Sequence, residues 1–145
     1  MIVVDSSAVV AILFGEPPAS ALLARLTSDS DRVMSVASYV ETGTVLAGRR
    51  LTDRLRAIDD LDTFLTEAGI TLAPMEVAQA RLALSARIRF GRGMGHGGLL
   101  NFGDAFSYAL ARAREAPLLF IGDDFGPTDI TPALSAAPPA SPASA

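Results

Sequence analysis

The chain has no cysteine, no tryptophan and no lysine, and it has a single histidine, His96. Without cysteine it cannot form a disulfide, an iron–sulfur cluster, a zinc finger or a thiolate nucleophile, which fits a reducing compartment. Without lysine it has no Walker-type phosphate loop and no Schiff-base chemistry. One histidine gives little support to a Ser-His-Asp triad. The 16 carboxylates remain, so any hydrolysis is expected to depend on acidic residues and a hard metal ion.

Long apolar runs are also missing. The best one, at 8–14, is far shorter than the roughly 18 residues of a membrane span, and no basic segment precedes an apolar run as in a signal peptide. We therefore predict a cytoplasmic protein that does not contact a membrane. The length of 145 residues and a hydrophobic share of 50% fit one globular domain. Because alanine, proline and serine dominate the end, we predict a domain at 1–131 and a disordered tail at 132–145.

Hydrophobic patterning predicts strands that alternate with helices. Short β-branched or continuous apolar runs predict strands at 1–4, 33–36, 70–73 and 118–121. Helical spacing and capping residues predict helices at 6–14, 18–26, 38–49, 52–68, 75–90 and 102–114. In the fourth of these helices, Leu55 and Ile58 are expected to face inward. The alternation predicts an α/β fold with three α/β/α layers around a short, mainly parallel sheet.

Several acids lie where such a sheet binds ligands. Asp5 directly follows the first predicted strand, and Asp123 and Asp124 follow the fourth. Glu41 and Asp104 lie in the first turns of predicted helices. Because ligands collect outside the carboxyl ends of parallel strands, these acids could converge on one cleft.

Each acid also has a purely structural explanation. Glu41 could complete a capping box with Ser38, and Asp104 could support the helix start near Asn101. Asp5 could cap a helix, and the two acids after the fourth strand could be turn residues. Taken together these explanations weaken, because clustered carboxylates raise one another's pKa values unless a cation neutralises them. Oxygen-only ligands favour Mg²⁺ or Mn²⁺.

Four sequence blocks occur in a familiar order: IVVDSSA at 2–8, SYVET at 38–42, LNFGDAFSYALA at 100–111, and LLFIGDDF at 118–125 followed by Thr128 and Asp129. They resemble PIN-domain ribonucleases, in particular the VapC toxins of bacterial toxin–antitoxin modules, over residues 1–131. The resemblance implies a PIN-like fold and a quartet of acids that holds Mg²⁺, with Mn²⁺ as a substitute: Asp5, Glu41, Asp104 and Asp123. It makes Ser7 an auxiliary hydroxyl and Asp124 a rival for Asp123, and it leaves Asp129 as a further candidate.

The same resemblance implies a reaction and partners. A metal ion would lower the pKa of a bound water and direct it at an RNA phosphodiester, so no protein nucleophile is needed. A VapB-type antitoxin would neutralise the toxin by binding an apolar groove formed by 52–65 and the early helices, and the toxin would be a homodimer. The stretch 81–114 carries six arginines against one acid, so it could attract RNA to an otherwise acidic chain. We predict RNA contacts at Arg87, Arg89 and Arg92.

Other interpretations compete with the nuclease. A PIN fold could bind RNA or a protein without catalysis, its acids serving only as helix caps. A phosphatase with an aspartyl nucleophile would need a second acid where this chain has Ser7, and it would need a lysine. The glycines at 93–98 match a dinucleotide-binding pattern, but they follow a helix rather than a strand. They are expected to form a mobile loop near the cleft.

Overall fold

The computed structural model describes residues 1–135, and the part of the predicted tail at 136–145 lies outside the described residues. The four strands are β1 (Ile2–Val4), β2 (Arg32–Ser35), β3 (Ile70–Ala73) and β4 (Leu118–Leu119). The six helices are α1 (Ser6–Leu13), α2 (Ala19–Thr27), α3 (Val36–Gly48), α4 (Arg56–Glu67), α5 (Val77–Phe90) and α6 (Asp104–Arg114).

The strands form one parallel sheet in the order β3-β2-β1-β4. Val3 at the centre of β1 is in register with Val33 on one side and with Leu118 on the other. All four carboxyl ends therefore lie at the same edge of the sheet. The predicted α/β class and the parallel sheet are confirmed.

Two apolar clusters cover the two faces of the sheet. Ile2 and Val4 face a cluster built with α1, α2, α3 and α4. Val3, between them, faces a cluster built with α5 and α6. This alternation follows from the strand geometry, in which successive side chains point to opposite faces. Burial of each large side chain contributes about 1.5–3 kcal/mol, so a strand of three residues stabilises both layers.

The start of α3 differs from the prediction. Ser35, the last residue of β2, is the N-cap, and its hydroxyl accepts from the Ala37 backbone N–H at 3.2 Å. The predicted capping box of Ser38 and Glu41 is therefore wrong. Ser38 is buried inside the helix, where its hydroxyl lies 3.0 Å from the Ser107 hydroxyl of α6.

The start and the buried face of α4 also differ. Asp53 has a positive φ of 50°, which interrupts the predicted helix, so α4 begins at Arg56. The buried residues of α4 are Ala57, Leu61 and Leu65, spaced four apart. Leu55 and Ile58 lie off that stripe and are 78% and 49% exposed, so the prediction that they face inward is wrong.

Residues 132–135, which the sequence assigned to the tail, lie against the domain. Leu118 donates its N–H to the Thr131 carbonyl at 3.0 Å, and its own carbonyl accepts from Ala133 at 2.8 Å. Arg25 of α2 donates to the Ala133 carbonyl at 2.7 Å, and Leu134 packs against the α1–α4 cluster. Within residues 1–135, none of the helices has the length and hydropathy to cross a membrane.

Candidate metal centre

Asp5 joins the end of β1 to the start of α1. Its Oδ2 accepts from the backbone N–H of Ser7 at 3.0 Å and from the Ser7 hydroxyl at 2.6 Å. The Ser7 oxygen in turn accepts from the Ile121 N–H at 3.1 Å, which ties Asp5 to the segment after β4. Asp5 is 2% exposed, and its Oδ1 has no hydrogen-bond partner among the described residues. Capping thus occupies one carboxylate oxygen and leaves the other buried and unsatisfied.

Asp104 is the first residue of α6. Its Oδ2 accepts from the Asn101 backbone N–H at 2.9 Å, while its own N–H donates to the Asn101 side chain at 2.8 Å. Burial raises the pKa of Asp104 to about 7; the hydrogen bond from Asn101 opposes this rise, and the nearby charges of Asp5 and Asp124 add to it. Three carboxylates from distant parts of the chain therefore interact here.

Glu41 reaches the same region from the second turn of α3. Burial raises its pKa, the charge of Asp5 raises it further, and a hydrogen bond from Ser6 lowers it. The Glu41 carboxylate lies directly against Gly103, so closely that a Cβ at that glycine would overlap it. Because Glu41 does not cap the helix, the local structural explanation for this acid no longer holds.

The two acids after β4 lie in different surroundings. Asp124 is half-buried, and its charge contributes to the raised pKa of Asp104. Asp123 is exposed and lines a mostly apolar cleft with Phe120 and Pro127. The structure thus brings Asp124 to the other acids and turns Asp123 towards that cleft.

Asp129 belongs to another part of the surface. It accepts from the Tyr108 hydroxyl at 2.7 Å, and this hydrogen bond lowers the pKa of Asp129. Burial and the same bond raise the pKa of Tyr108 to about 12. Arg112 lies 4.0 Å from the Asp129 carboxylate, so Asp129 has its own partners.

The three arginines predicted to contact RNA have separate environments. Arg87 donates a hydrogen bond to the Leu100 carbonyl. The Arg89 guanidinium lies 4.7 Å above the Phe90 ring. Arg92 alone among them forms an ion pair with an acid of the cluster, at 3.9 Å from Asp124.

The donor chemistry of the cluster fits a hard cation, since every donor is a carboxylate oxygen. The buried, unpartnered Oδ1 of Asp5 also fits, because a buried carboxylate oxygen without a partner is costly. Within residues 1–135, no three His, Cys, Asp or Glu side chains already stand at the spacing of a closed ligand set.

Sequence reasoning missed two contacts of this cluster. Ser6 lies near enough to Glu41 to lower its pKa, and Gly103 provides the surface against which Glu41 lies. A glycine directly before a helix is a weak signal of close approach. No signal identifies Ser6, because its partner is distant in the sequence.

The chain is similar to known proteins over most of its length. The family model for the PIN domain matches residues 2–129. The chain is 46% identical to ribonuclease VapC28 of Mycobacterium tuberculosis over 132 residues. This alignment covers 91% of this chain and 97% of the relative. The chain belongs to the VapC family. A VapC ribonuclease of Mycolicibacterium smegmatis is 43% identical over 128 residues, covering 88% of this chain and 96% of the relative.

A solved VapC structure has the same fold. It is VapC20 of Mycobacterium tuberculosis, described as a sarcin–ricin loop cleaving toxin, with a TM-score of 0.68 and 21% identity. The match covers 90% of this chain and 97% of that one. The sequence resemblance to VapC toxins and the expected PIN fold are therefore confirmed.

Proposed function

We propose that this VapC protein is a Mg²⁺-dependent endoribonuclease whose site comprises Asp5, Glu41, Asp104 and Asp124. The observation that carries the proposal is the buried, unpartnered Oδ1 of Asp5 beside carboxyls whose pKa values are raised. A divalent cation would offset both costs, because it supplies a partner for the oxygen and stabilises the ionised carboxylates. Mn²⁺ is expected to substitute for Mg²⁺.

We place Asp124 ahead of Asp123 as the fourth acid. The charge of Asp124 acts on Asp104, whereas Asp123 is exposed and lines the cleft with Phe120. Because no three described carboxylates already stand at ligand spacing, we expect a cation to draw the side chains together as it binds.

The metal, when bound, would lower the pKa of a water towards neutrality and neutralise charge that develops on the phosphate. The chain's own residues set up that reaction. Ser7 and Asn101 fix the orientations of Asp5 and Asp104 by hydrogen bonds. The Glu41 carboxylate is held against Gly103 beside Asp5, so we assign it to orient the attacking water.

The test compares wild type with Asp5→Asn and Asp104→Asn on single-stranded RNA, in Mg²⁺ and in EDTA. Asparagine at 104 keeps an oxygen for the Asn101 N–H, so a loss of cleavage reports on charge rather than on the cap. We expect cleavage only by wild type in Mg²⁺. Equal cleavage in every condition would sink the nuclease proposal, and RNA binding without any cleavage would favour the catalytically silent module.

The fourth acid is decided by a matched pair, Asp124→Asn and Asp123→Asn. We expect Asp124→Asn to lose at least tenfold in kcat and Asp123→Asn to stay near wild type. The reverse order would restore Asp123 to the quartet.

We also propose that a VapB-type antitoxin covers the apolar groove between α3 and α4. Its lining includes the exposed side chains Val40, Leu55 and Ile58, which would otherwise contact water. Ile58→Glu should weaken binding of a VapB-type antitoxin, whereas Leu84→Glu, at an exposed position of α5 in the other layer, should not. Equal binding by both variants would place the antitoxin elsewhere.

We also propose that the protein is a homodimer. We propose a cytoplasmic location, because the protein would meet both RNA and the antitoxin there. Light scattering of the purified chain measures the mass of the assembly.

A further inference from the structure

The glycine-rich loop after α5 is closed at its base. Arg92 donates its backbone N–H to the Leu100 carbonyl at 3.0 Å, and Leu100 donates to the Phe90 carbonyl at 3.1 Å. Beyond this closure, Gly93, Gly95 and Gly97 all have positive φ. The backbone of Arg92 is therefore held at the base of the loop, while its side chain extends from a fixed point.

The Arg92 side chain ends at the acidic cluster. Its Nη2 lies 3.9 Å from Asp124 Oδ1, and the side chain is 66% exposed. Among the ion pairs of residues 1–135, this is the one that includes an acid of the proposed site. The distance is beyond that of a hydrogen bond, so the guanidinium neutralises Asp124 only in part and is free to turn away.

We propose that Arg92 is an exchangeable counter-ion of the site, which pairs with Asp124 without metal and binds an RNA phosphate when a divalent cation takes Asp124. This inference rests on the proposed function. A cation at Asp124 removes the attraction that holds the guanidinium and repels it. The planar guanidinium then presents paired donors that match a phosphate.

The exchange couples the two ligands of the site. Metal binding must displace Arg92, and the displaced Arg92 favours RNA. By linkage, bound RNA favours the metal by the same factor. Arg87 cannot take this role, because its guanidinium is bonded to the Leu100 carbonyl.

The first test measures Mn²⁺ binding to the full chain by calorimetry, without RNA, for wild type, Arg92→Gln and Arg81→Gln. Arg81 is exposed on α5 and serves as the charge-matched control. We expect Arg92→Gln to bind Mn²⁺ about two- to fivefold more tightly, the scale of an exposed ion pair, and Arg81→Gln to match wild type. Unchanged or weaker Mn²⁺ binding by Arg92→Gln would overturn the exchange.

The second test measures RNA cleavage by the same proteins and by Arg92→Lys. We expect Arg92→Gln to raise KM several-fold with little change in kcat. Arg92→Lys should keep the wild-type Mn²⁺ affinity but raise KM in part, because lysine keeps the charge and loses the paired donors. A KM equal to wild type in Arg92→Gln would overturn the RNA half of the inference. If wild type binds no Mn²⁺ and cleaves equally in EDTA, the proposed function fails as well. If wild type binds Mn²⁺ and needs it for cleavage, but Arg92→Gln has the same Mn²⁺ affinity and the same KM as wild type, the inference alone fails.

Discussion

The two oxygens of Asp5 lie in different surroundings, which lets one residue combine a capping role with the proposed metal-binding role. Oδ2 caps α1 through Ser7, while Oδ1 stays buried without a partner. Asp104 divides its role in the same way, with one oxygen bonded to Asn101. The backbone N–H groups at the start of a helix need acceptors, and an acid fills that need with one oxygen to spare. The capping explanation and the metal explanation are therefore compatible for these two residues.

The pKa of Asp104 gives a prediction about pH. Below about 7 the carboxyl holds a proton that a cation must displace. We expect Mn²⁺ affinity, measured by calorimetry, to rise up to tenfold per pH unit below about 7 and to level off above it. A flat profile between pH 5.5 and 8 would contradict the raised pKa.

The raised pKa of Asp104 affects the stability of the metal-free protein in the opposite direction: metal affinity rises with pH, whereas stability falls. From the ordinary value of 3.8 up to about 7, the folded protein holds a proton that the unfolded chain releases. Stability therefore falls as pH rises through this range. The thermal midpoint of the Asp104→Asn variant should fall less over the same range, because asparagine does not titrate.

The close contact between Gly103 and the Glu41 carboxylate gives a prediction about a larger residue at position 103. Its backbone is helical, with φ −65° and ψ −39°, so alanine fits the conformation. The added methyl group, however, would overlap the Glu41 carboxylate. We expect Gly103→Ala to displace Glu41 and lower kcat by at least tenfold. Gly48→Ala is the control, because nothing lies within 4 Å of its added methyl group. Equal activity of both variants would show that Glu41 needs no fixed position.

At the scale of elements, the junction of β2 and α3 determines where Glu41 lies. Ser35 is both the last residue of the strand and the helix cap, so no loop separates the two elements. The helix starts three residues earlier than a cap at Ser38 would place it. Glu41 consequently lies in the second turn, where its side chain can cross to α6.

Arg87 connects the glycine-rich loop to the site. Its bond to the Leu100 carbonyl fixes the residue that precedes Asn101, and Asn101 in turn holds Asp104. We expect Arg87→Met to speed hydrogen exchange of the amides at 91–101 and to weaken Mn²⁺ binding, because it removes the donor and keeps an unbranched side chain. Arg81→Gln should leave exchange unchanged. Wild-type exchange rates in Arg87→Met would show that the loop closes without this bond.

At the scale of the whole molecule, the net charge of −4 equals the charge of the four acids of the proposed site. Without the four proposed acids, 12 carboxylates balance 12 arginines. The surplus negative charge equals that of the proposed site, and a bound cation would offset it. An acidic chain can thus be compatible with an RNA substrate.

The described chain continues past residue 131, and this continuation should add stability. Leu134 packs against the α1–α4 cluster. We expect Leu134→Ala to lower the free energy of unfolding by about 1 kcal/mol, as the loss of part of a buried side chain predicts. Leu51→Ala should be neutral, since Leu51 is 98% exposed. Equal urea midpoints for the two variants would show that the domain ends at 131.

The sequence alone determined the layered α/β architecture, the family resemblance and the positions of the acids at strand and helix ends. These features depend on local patterns, namely apolar runs, helical spacing and residues adjacent in the chain. The tertiary structure decided which of two consecutive acids joins the cluster, because both follow Gly122, whose φ of +91° sets a turn that no periodicity describes. It also decided that Glu41 meets Gly103 and that Arg92 meets Asp124. Both contacts join residues far apart in sequence, and only the packed sheet and helices bring them together.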